Sequence, residues 1–160
     1  MTSTFHVLVV CTGNTCRSPL AAALLERLLE EEGPTGVTVS SAGVGAQDGA
    51  PASEGAYLVA LEAGLDLSAH RARQLRPDLV RQANLILTMS SSHLRRVTDL
   101  GGSGKAMLLG EYATSGTGGD EIQDPFGGDV HAYRETLHVL ARLMAGVRDR
   151  LQTDVNRDQR

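Results

Sequence analysis

The residues Val7–Pro19, with the sequence VLVVCTGNTCRSP, give the clearest indication of the fold of this chain. This stretch starts as an apolar, β-branched run, which is typical of a buried strand. Gly13 and Asn14, which tolerate unusual backbone angles, end that run. Ser18 is a good N-cap and Pro19 suits the first position of a helix. The stretch therefore predicts a strand, a tight loop and a helix in direct succession.

A strand, a tight loop and a helix N-terminus together form a binding site for an anion. Backbone N–H groups converge in such a loop, and the helix dipole adds partial positive charge. The planar guanidinium of Arg17 can bind two phosphate oxygens, and Cys11 stands at the end of the strand. The loop is therefore predicted to hold a phosphate over a thiol. Its phosphate-binding residues are expected to be Thr12, Gly13, Asn14, Thr15, Cys16, Arg17 and Ser18.

The surroundings of Cys11 indicate a reactive thiol. Helix N-termini and neighbouring arginines favour thiolates, so we expect the pKa of Cys11 to be lowered. The Ser18 hydroxyl is placed to hydrogen-bond the sulfur. The alternative is an inert core cysteine beside a surface arginine, but Arg17 would then stand without reason at a helix start, where the dipole disfavours cations. Two interpretations of Cys16 stay open, a thiol that bonds to Cys11 on oxidation or a small packing residue.

Length and composition indicate one globular unit. Of the 160 residues, 41% are hydrophobic and 21% are charged, so we expect a single domain over residues 1–160. The formal net charge of −4, without any basic tract, argues against nucleic acid as a partner. Neither a secretory signal nor a membrane-spanning run is recognisable, so no membrane partner is expected. Both cysteines lie in the loop rather than in a disulfide framework, which favours a cytoplasmic location.

Apolar runs alternate with helical patterns along the rest of the chain. Further strands are predicted at 37–40, 84–89 and 106–109, and helices at 19–31, 51–64, 77–82, 90–100 and 130–151. The segment 112–123 is predicted to be a loop, and the polar tail from about residue 153 to 160 is expected to be frayed. This alternation predicts an α/β fold with a parallel sheet. Ligands bind at the carboxyl ends of the strands in such folds, where Cys11 lies.

A second motif stands in the late loop and has the sequence DPFGGD over residues 124–129. Pro125 biases Asp124 toward an extended conformation. An aspartate near the strand ends could protonate a leaving group. Taken alone, however, Asp124 is better interpreted as a turn residue, since aspartates are common in turns.

Together, the two motifs resemble the low-molecular-weight protein-tyrosine-phosphatase family. The resemblance covers essentially the whole chain and includes Ser41-Ala42-Gly43, His70-Arg71-Ala72-Arg73 and Ile86-Leu87-Thr88-Met89. It implies a three-layer α/β fold, in which a four-stranded parallel sheet is flanked by helices on both faces. It also implies a cysteine-dependent phosphatase that forms a cysteinyl-phosphate and acts on phosphorylated proteins.

The resemblance also assigns roles to residues. It implies that Cys11 is the nucleophile, Arg17 the phosphate clamp and Asp124 the general acid. Asn14, Ser41 and His70 match positions that support the loop. No metal or other cofactor is implied. The remaining histidines are expected to be surface or packing residues, namely His6, His93, His131 and His138.

The expected substrate depends on Thr15 and Phe126. Tyrosine phosphatases of the family generally carry a bulky aliphatic residue in place of Thr15, and two aromatics where this chain has Phe126 and then Gly127. In these features the chain looks like the bacterial protein-arginine-phosphatase branch. Phosphoarginine is therefore the favoured substrate, and phosphotyrosine is the alternative.

Two other classes fit the sequence poorly. Thioredoxin-coupled arsenate reductase shares the fold and the Cys-x5-Arg loop, but it needs downstream cysteines, and this chain has none after Cys16. A module that only binds phosphate would be expected to lack the nucleophile or the acid, whereas both are present here.

Overall fold

The central feature of the fold is one four-stranded sheet. The computed structural model describes residues 4–116 and 121–158. All neighbouring strands are parallel, and their order across the sheet is β2-β1-β3-β4. Cys11 is the last residue of β1 and pairs with Gly43 at the end of β2, so both lie at the carboxyl edge of the sheet. The strands are β1 (Phe5–Cys11), β2 (Val37–Gly43), β3 (Leu85–Thr88) and β4 (Ala106–Leu108).

Helices cover both faces of this sheet, as the family resemblance implies. Within the described ranges they are α1 (Arg17–Glu31), α2 (Glu54–Glu62), α3 (Pro77–Gln82), α4 (Ser91–Val97), α5 (Leu109–Ala113) and α6 (Val130–Asp158). A π-helical turn, Thr98–Gly102, follows α4. None of the helices in these ranges is both long enough and apolar enough to cross a membrane.

The alternation of side chains along β1 builds the two halves of the core. Val7 and Val9 point to one face, where they join a large cluster with α1, α2, α5 and α6. Leu8 and Val10 point to the other face and pack with residues of α3 and α4. All four side chains are buried, so β1 is a central strand that is apolar on both faces.

The start of α1 differs from the prediction. The helix begins at Arg17, and its N-cap position is occupied by Cys16, whose side chain makes no capping hydrogen bond. The prediction of Ser18 as the N-cap is therefore wrong. The physical reason is that the Ser18 hydroxyl is already engaged by Cys11 and Asn14, inside the loop rather than at the helix end.

The helix α2 is shorter than predicted at both ends, and Gly64 lies just beyond its end. It spans Glu54–Glu62 rather than 51–64. Gly64 has a φ of 80°, which is the left-handed region that favours glycine. The N–H of Leu65 donates to the Ala60 carbonyl at 2.8 Å and the N–H of Gly64 to the Leu61 carbonyl at 3.0 Å, which is a Schellman motif.

Two other predicted boundaries need correction. Leu109 and Tyr112, predicted in a strand and in a loop, belong to α5. The Tyr112 hydroxyl donates to Asp154 of α6 at 2.7 Å, a partner that lies too far along the sequence for local patterns to indicate. Residues 117–120 of the predicted loop lie outside the described residues.

The tail of the chain is helical rather than frayed. α6 continues to Asp158, so the prediction of fraying from about residue 153 is wrong for residues 153–158. Leu151 and Val155 are buried in the core and hold this end of the helix against the rest of the molecule. Residues 159 and 160 lie outside the described residues.

Candidate active site

The sulfur of Cys11 lies at the bottom of the loop that joins β1 to α1. Its Sγ is 2.9 Å from the Ser18 hydroxyl oxygen. The backbone N–H groups of Asn14 and Ser18 also point to this sulfur. The loop therefore wraps around the thiol and offers it three hydrogen-bond donors.

The acidity of Cys11 differs from the prediction. Burial raises the pKa of the Cys11 thiol, and this outweighs the lowering by the Ser18 hydroxyl, the loop N–H groups and the charge of Arg17. The prediction of a lowered pKa is therefore wrong for this structure. The sequence indicates the polar neighbours of the thiol but not how completely the loop and the core cover it, because burial is a tertiary property.

Arg17 is a buried cation with an unsatisfied donor. Only 5% of the residue is exposed. Its Nη1 donates to the Ile122 carbonyl at 2.8 Å, and Nη2 lies 3.4 Å from the Thr12 hydroxyl and 3.4 Å from Asp124 Oδ2. Its Nε is buried without a hydrogen-bond partner among the described residues. A buried cationic N–H lacks an acceptor here, and an anion oxygen is the acceptor that suits it best.

Asn14 connects the loop to its surroundings. It adopts a left-handed φ of 57°, so the unusual backbone angle falls on Asn14 rather than on Gly13. Its side-chain amide donates to Ser18 at 2.8 Å and to Ser41 at 2.9 Å, and its side-chain oxygen accepts from the Arg73 backbone at 2.9 Å. His70 Nε2 lies 2.7 Å from its carbonyl oxygen. The structure thus brings Asn14, Ser41 and His70 together behind the loop.

Gly43 allows the end of β2 to approach the loop closely. A Cβ at this position would collide with the Thr12 carbonyl oxygen and would lie 2.9 Å from the Asn14 backbone nitrogen. Both of these are backbone atoms that cannot turn away as a flexible side chain can. The glycine is therefore required by close packing between the strand and the loop.

A cavity of about 190 Å³ opens above Cys11. Asn14 and Ser18 do not line this cavity, because both residues are fully buried on the side of the loop that faces away from it. Phe126 stands at the rim and is 75% exposed. Asp124 and Phe126 of the late motif therefore reach the same cavity as the loop, although more than a hundred residues separate this motif from the loop along the chain. The lining residues are Cys11, Thr12, Gly13, Thr15, Cys16, Arg17, Asp124 and Phe126.

The Asp124 carboxylate is held from two sides. Its Oδ1 accepts the backbone N–H of Phe126 at 3.1 Å, and its Oδ2 faces Arg17. The side chain of Asp124 keeps 44% of its surface exposed, so the carboxylate is open to the cavity mouth. It can therefore exchange a proton with a group bound there.

The second cysteine has its own contacts. Cys11 and Cys16 are both free and buried. Cys16 Sγ lies 3.1 Å from the Ser53 hydroxyl and 3.8 Å from the Tyr133 hydroxyl. These contacts are typical of a packing residue. A disulfide bond between Cys16 and Cys11 on oxidation stays a prediction.

The sequence interpretation missed two groups near the site. His93 is 2% exposed, and its Nε2 lies 2.8 Å from the Thr12 hydroxyl. Burial, together with the charge of Arg17, lowers the pKa of His93 to about 4, so it is neutral at pH 7. The Ile122 carbonyl, which binds Arg17, was also missed. The sequence feature that could have indicated His93 is its position three residues after Ser90, the N-cap of α4, which follows β3. No sequence feature indicates the Ile122 carbonyl.

The described residues offer little to a metal ion. No group of three or more His, Cys, Asp or Glu side chains in residues 4–116 and 121–158 is arranged to hold one. The polar groups around the cavity are instead a thiol, a guanidinium, a carboxylate and loop N–H groups. This set suits an oxyanion rather than a cation.

Known proteins match this chain along most of its length. The family model described as low molecular weight phosphotyrosine protein phosphatase matches residues 6–158. A protein-arginine-phosphatase of Geobacillus stearothermophilus is 41% identical over 152 residues, which are 94% of this chain and 98% of that protein. A probable low molecular weight protein-tyrosine-phosphatase, EpsP of Ralstonia solanacearum, is 40% identical over 138 residues, with coverages of 85% and 88%.

A solved structure agrees with the sequence matches. A mutant of the YwlE arginine phosphatase with a phosphorylated active-site serine superposes with a TM-score of 0.88 and 34% identity, over 94% of this chain and 97% of that one. Both the resemblance and the predicted fold are thereby confirmed. This chain belongs to the low molecular weight phosphotyrosine protein phosphatase family and is a cysteine-dependent protein phosphatase.

Proposed function

We propose that this phosphatase removes the phosphoryl group from phosphoarginine in proteins, with Cys11, Arg17 and Asp124 as its catalytic residues. The observation that carries this proposal is the arrangement at the bottom of the cavity. The Cys11 sulfur lies within the loop, and the buried Arg17 Nε–H beside it lacks an acceptor among the described residues. A phosphoryl group bound over the sulfur would supply that acceptor.

The reaction proceeds in two displacements. The Cys11 thiolate attacks phosphorus in line, the S–P bond forms and the P–N bond to the substrate breaks. Asp124 gives its proton to the departing nitrogen of the phosphorylated guanidinium, which leaves as the cationic guanidinium of arginine. Water then attacks the cysteinyl-phosphate, Asp124 accepts a proton from it, and inorganic phosphate leaves as the thiolate forms again. The relative with a phosphorylated active-site serine supports a covalent intermediate.

The phosphate-binding loop and Arg17 stabilise the transferring group. Charge on the equatorial oxygens is met by loop N–H groups and by the guanidinium. Thr12, Gly13, Thr15 and Cys16 line the cavity, and Asn14 and Ser18 act from beneath it through the hydrogen bonds described above. The Ser18 hydroxyl stabilises the Cys11 thiolate both before attack and when it leaves. Burial raises the pKa of the thiol, so the thiolate depends on this hydrogen-bond donor for its stabilisation.

We assign a supporting role to three residues behind the loop. Asn14 bonds Ser18, Ser41 and the Arg73 backbone, and His70 bonds the Asn14 carbonyl. These contacts hold the backbone in a conformation that costs free energy in isolation, since a non-glycine residue has a positive φ there. The loop is thus held ready for the phosphoryl group before the substrate arrives.

The preference for phosphoarginine rests on Thr15, Asp124 and Gly127. Thr15 lines the cavity with a hydroxyl-bearing side chain. A guanidinium leaving group is cationic and carries several N–H donors, which a hydroxyl and the exposed Asp124 carboxylate can accept. Gly127, with a φ of 83°, presents no second aromatic wall for a phenyl ring. The similarity to the protein-arginine-phosphatase of Geobacillus stearothermophilus supports the same choice.

Phosphotyrosine is the second candidate substrate. The observation that favours it is Phe126, which lies at the rim of the cavity and is largely exposed, so its ring can stack on a phenyl group. The similarity to the probable protein-tyrosine-phosphatase EpsP is almost as high as that to the arginine phosphatase. The site is therefore expected to hydrolyse both phosphoamino acids, with phosphoarginine preferred.

The proposed mechanism also bears on the partner and the location of the enzyme. The substrate partner is a phosphorylated protein, and the enzyme acts without a metal ion or another cofactor. The mechanism requires Cys11 as a free thiol, which it is in this structure. We therefore propose the reducing cytoplasm as its place of action.

A side-by-side assay tests the proposal. Two peptides of identical sequence are compared, one with phosphoarginine and one with phosphotyrosine, and kcat/KM is measured for both by release of inorganic phosphate. The proposal expects a higher kcat/KM for phosphoarginine. The control is Cys11→Ser, which should be inactive on both peptides while it still binds inorganic vanadate through the loop and Arg17. A preference for phosphotyrosine would overturn the substrate assignment, and activity in Cys11→Ala, which has no nucleophile at this position, would overturn the covalent mechanism.

A further inference from the structure

The first turn of α4 contacts both parts of the site. Ser90, its N-cap, lies two residues after Thr88, the last residue of β3. From this turn His93 contacts the phosphate-binding loop at Thr12. The Glu121 carboxylate accepts the Ser91 backbone N–H at 2.8 Å and the Ser91 hydroxyl at 2.7 Å. One turn of helix thus holds the loop and also the segment that leads to Asp124.

The hydrogen bonds around His93 form a chain that ends at the phosphate clamp. Nδ1 of His93 lies 3.0 Å from the Ser90 hydroxyl, and Nε2 lies 2.8 Å from the Thr12 hydroxyl. Nη2 of Arg17 donates to the same Thr12 oxygen at 3.4 Å. Since that oxygen accepts from Arg17, its own proton is free to point to His93 Nε2, and Nδ1–H then donates to Ser90.

This chain requires a neutral imidazole. A protonated His93 would be a donor at both ring nitrogens, so the Thr12 proton would have to turn away from Nε2. The Arg17 guanidinium faces the ring and opposes its protonation, whereas Glu121 and Asp124 favour it. Burial and Arg17 prevail, and His93 is uncharged near neutral pH.

We infer that His93 is a positioning residue for phosphoryl transfer, which acts through the Thr12 hydroxyl to fix the phosphate-binding loop and the Arg17 guanidinium relative to each other. This inference rests on the proposed function of the loop. Thr12 follows Cys11 directly, so a displaced Thr12 moves the wall of the cavity next to the sulfur. Small displacements of a catalytic group have large effects on rate.

A double-mutant cycle tests the inference. The variants are Thr12→Val, which removes the hydroxyl at nearly constant shape, His93→Leu, and the two combined. We measure kcat/KM for an activated aryl phosphate and the affinity for inorganic vanadate. Each single variant should lower kcat/KM about tenfold, and the double variant should be no worse than the poorer single one, because both substitutions break the same chain. Vanadate should also bind more weakly.

Conservative variants separate positioning from a merely structural role. His93→Gln keeps a hydrogen-bonding group near the place of Nε2, and Thr12→Ser keeps the hydroxyl, so both should recover most of the activity. His6→Gln is the matched control, since His6 also contacts two hydroxyls, at 2.6 and 2.7 Å, but lies at the opposite end of β1 from Cys11. Its kcat/KM should stay within twofold of the wild type.

Several outcomes would overturn the inference. Losses that multiply in the double variant would mean that the two residues act independently. If His93→Leu does not fold, the exposed Thr12 still decides the matter, because Thr12→Val with wild-type kcat/KM would show that the hydroxyl positions nothing. A wild-type protein without phosphatase activity would instead contradict the proposed function, so the two failures are distinct.

Discussion

Arg17 and Asp124 form an ion pair across the cavity, with Nη2 and Oδ2 3.4 Å apart. The proposed phosphate clamp and the proposed general acid thus touch each other. An incoming phosphoryl group, which is negative, repels the carboxylate and competes with it for the guanidinium. Binding of the substrate is therefore expected to weaken this ion pair and to free Asp124 for proton transfer.

Asp124→Asn should separate binding from chemistry. The amide removes the charge that competes for Arg17, so vanadate should bind at least as tightly as to the wild type. Hydrolysis of a phosphate with a poor leaving group should fall about a hundredfold, because general acid catalysis is lost, whereas an activated aryl phosphate should lose much less. The measurement is kcat over a series of leaving groups. A uniform loss across the series would show that Asp124 does not act as the acid.

Arg17→Lys should lose more than tenfold in kcat/KM, which corresponds to more than about 1.4 kcal/mol of transition-state stabilisation. The guanidinium reaches the Ile122 carbonyl with Nη1 and still has Nη2 and Nε for other acceptors. A single ammonium cannot serve these directions together. Arg27→Lys is a useful comparison, since Arg27 binds the Ala63 carbonyl and does not line the cavity. A variant of Arg17 that kept near-normal kcat/KM would rule out a forked contact.

Gly43→Ala should damage the loop from behind. The new Cβ would meet backbone atoms of Thr12 and Asn14, so the loop must shift, and such overpacking costs about 1–3 kcal/mol of stability. We expect kcat/KM to fall at least tenfold. Gly45→Ala is the matched control, because a Cβ there comes only within 4.0 Å of the Thr12 methyl group. Equal kinetics for the two variants would contradict the close packing of β2 against the loop.

Thr15→Ile should shift the preference from phosphoarginine toward phosphotyrosine. The substitution removes a hydroxyl from the cavity lining and adds apolar bulk, which favours a phenyl ring over a guanidinium. The ratio of the two kcat/KM values should change at least fivefold, since a lost hydrogen bond of this kind is worth about 1–3 kcal/mol. Thr15→Val, close to threonine in shape, reports the hydroxyl alone. An unchanged ratio would mean that another residue selects the substrate.

The titration of His93 should make the fold less stable in mild acid. Its pKa is about 4 in the fold and 6.5 as the ordinary value, so the unfolded chain binds more protons between these pH values. The stabilisation is complete above pH 6.5 and is lost as the pH falls toward 4, by at most about 3 kcal/mol.

Urea unfolding at several pH values measures this effect. The stability advantage of the wild type over His93→Gln should shrink between pH 6.5 and pH 4, because glutamine does not titrate. Arg17, Glu121 and Asp124 face the ring and remain in both proteins, so their own contributions largely cancel. A difference that does not depend on pH would show that His93 titrates normally.

The loop and the sheet could be predicted because their signals are local. The apolar run before Cys11, the break at Gly13 and Asn14 and the alternation of strands with helices all lie within short windows of sequence. The order of the motifs then indicated the family.

The errors arose where a distant contact decided the outcome. Ser18 has the residue type of an N-cap, but its hydroxyl is hydrogen-bonded to the Cys11 sulfur and to the Asn14 amide instead. The thiol of Cys11 has the polar neighbours that lower a pKa, yet the packed core around it raises the pKa instead. His93 is predicted only as a surface or packing residue, because its contact with Thr12 exists only in the folded chain. Local patterns carry no information about such partners.

The left-handed residue Asn14 bears on how this chemistry could be transplanted. Its backbone angle is maintained by contacts from Ser41, His70 and Arg73, which belong to other segments of the chain. A synthetic peptide with the nine residues from Cys11 to Pro19 would therefore adopt other backbone conformations and would no longer bind oxyanions. A design that transfers this reactivity to a new scaffold must therefore include the residues that contact Asn14 together with the loop.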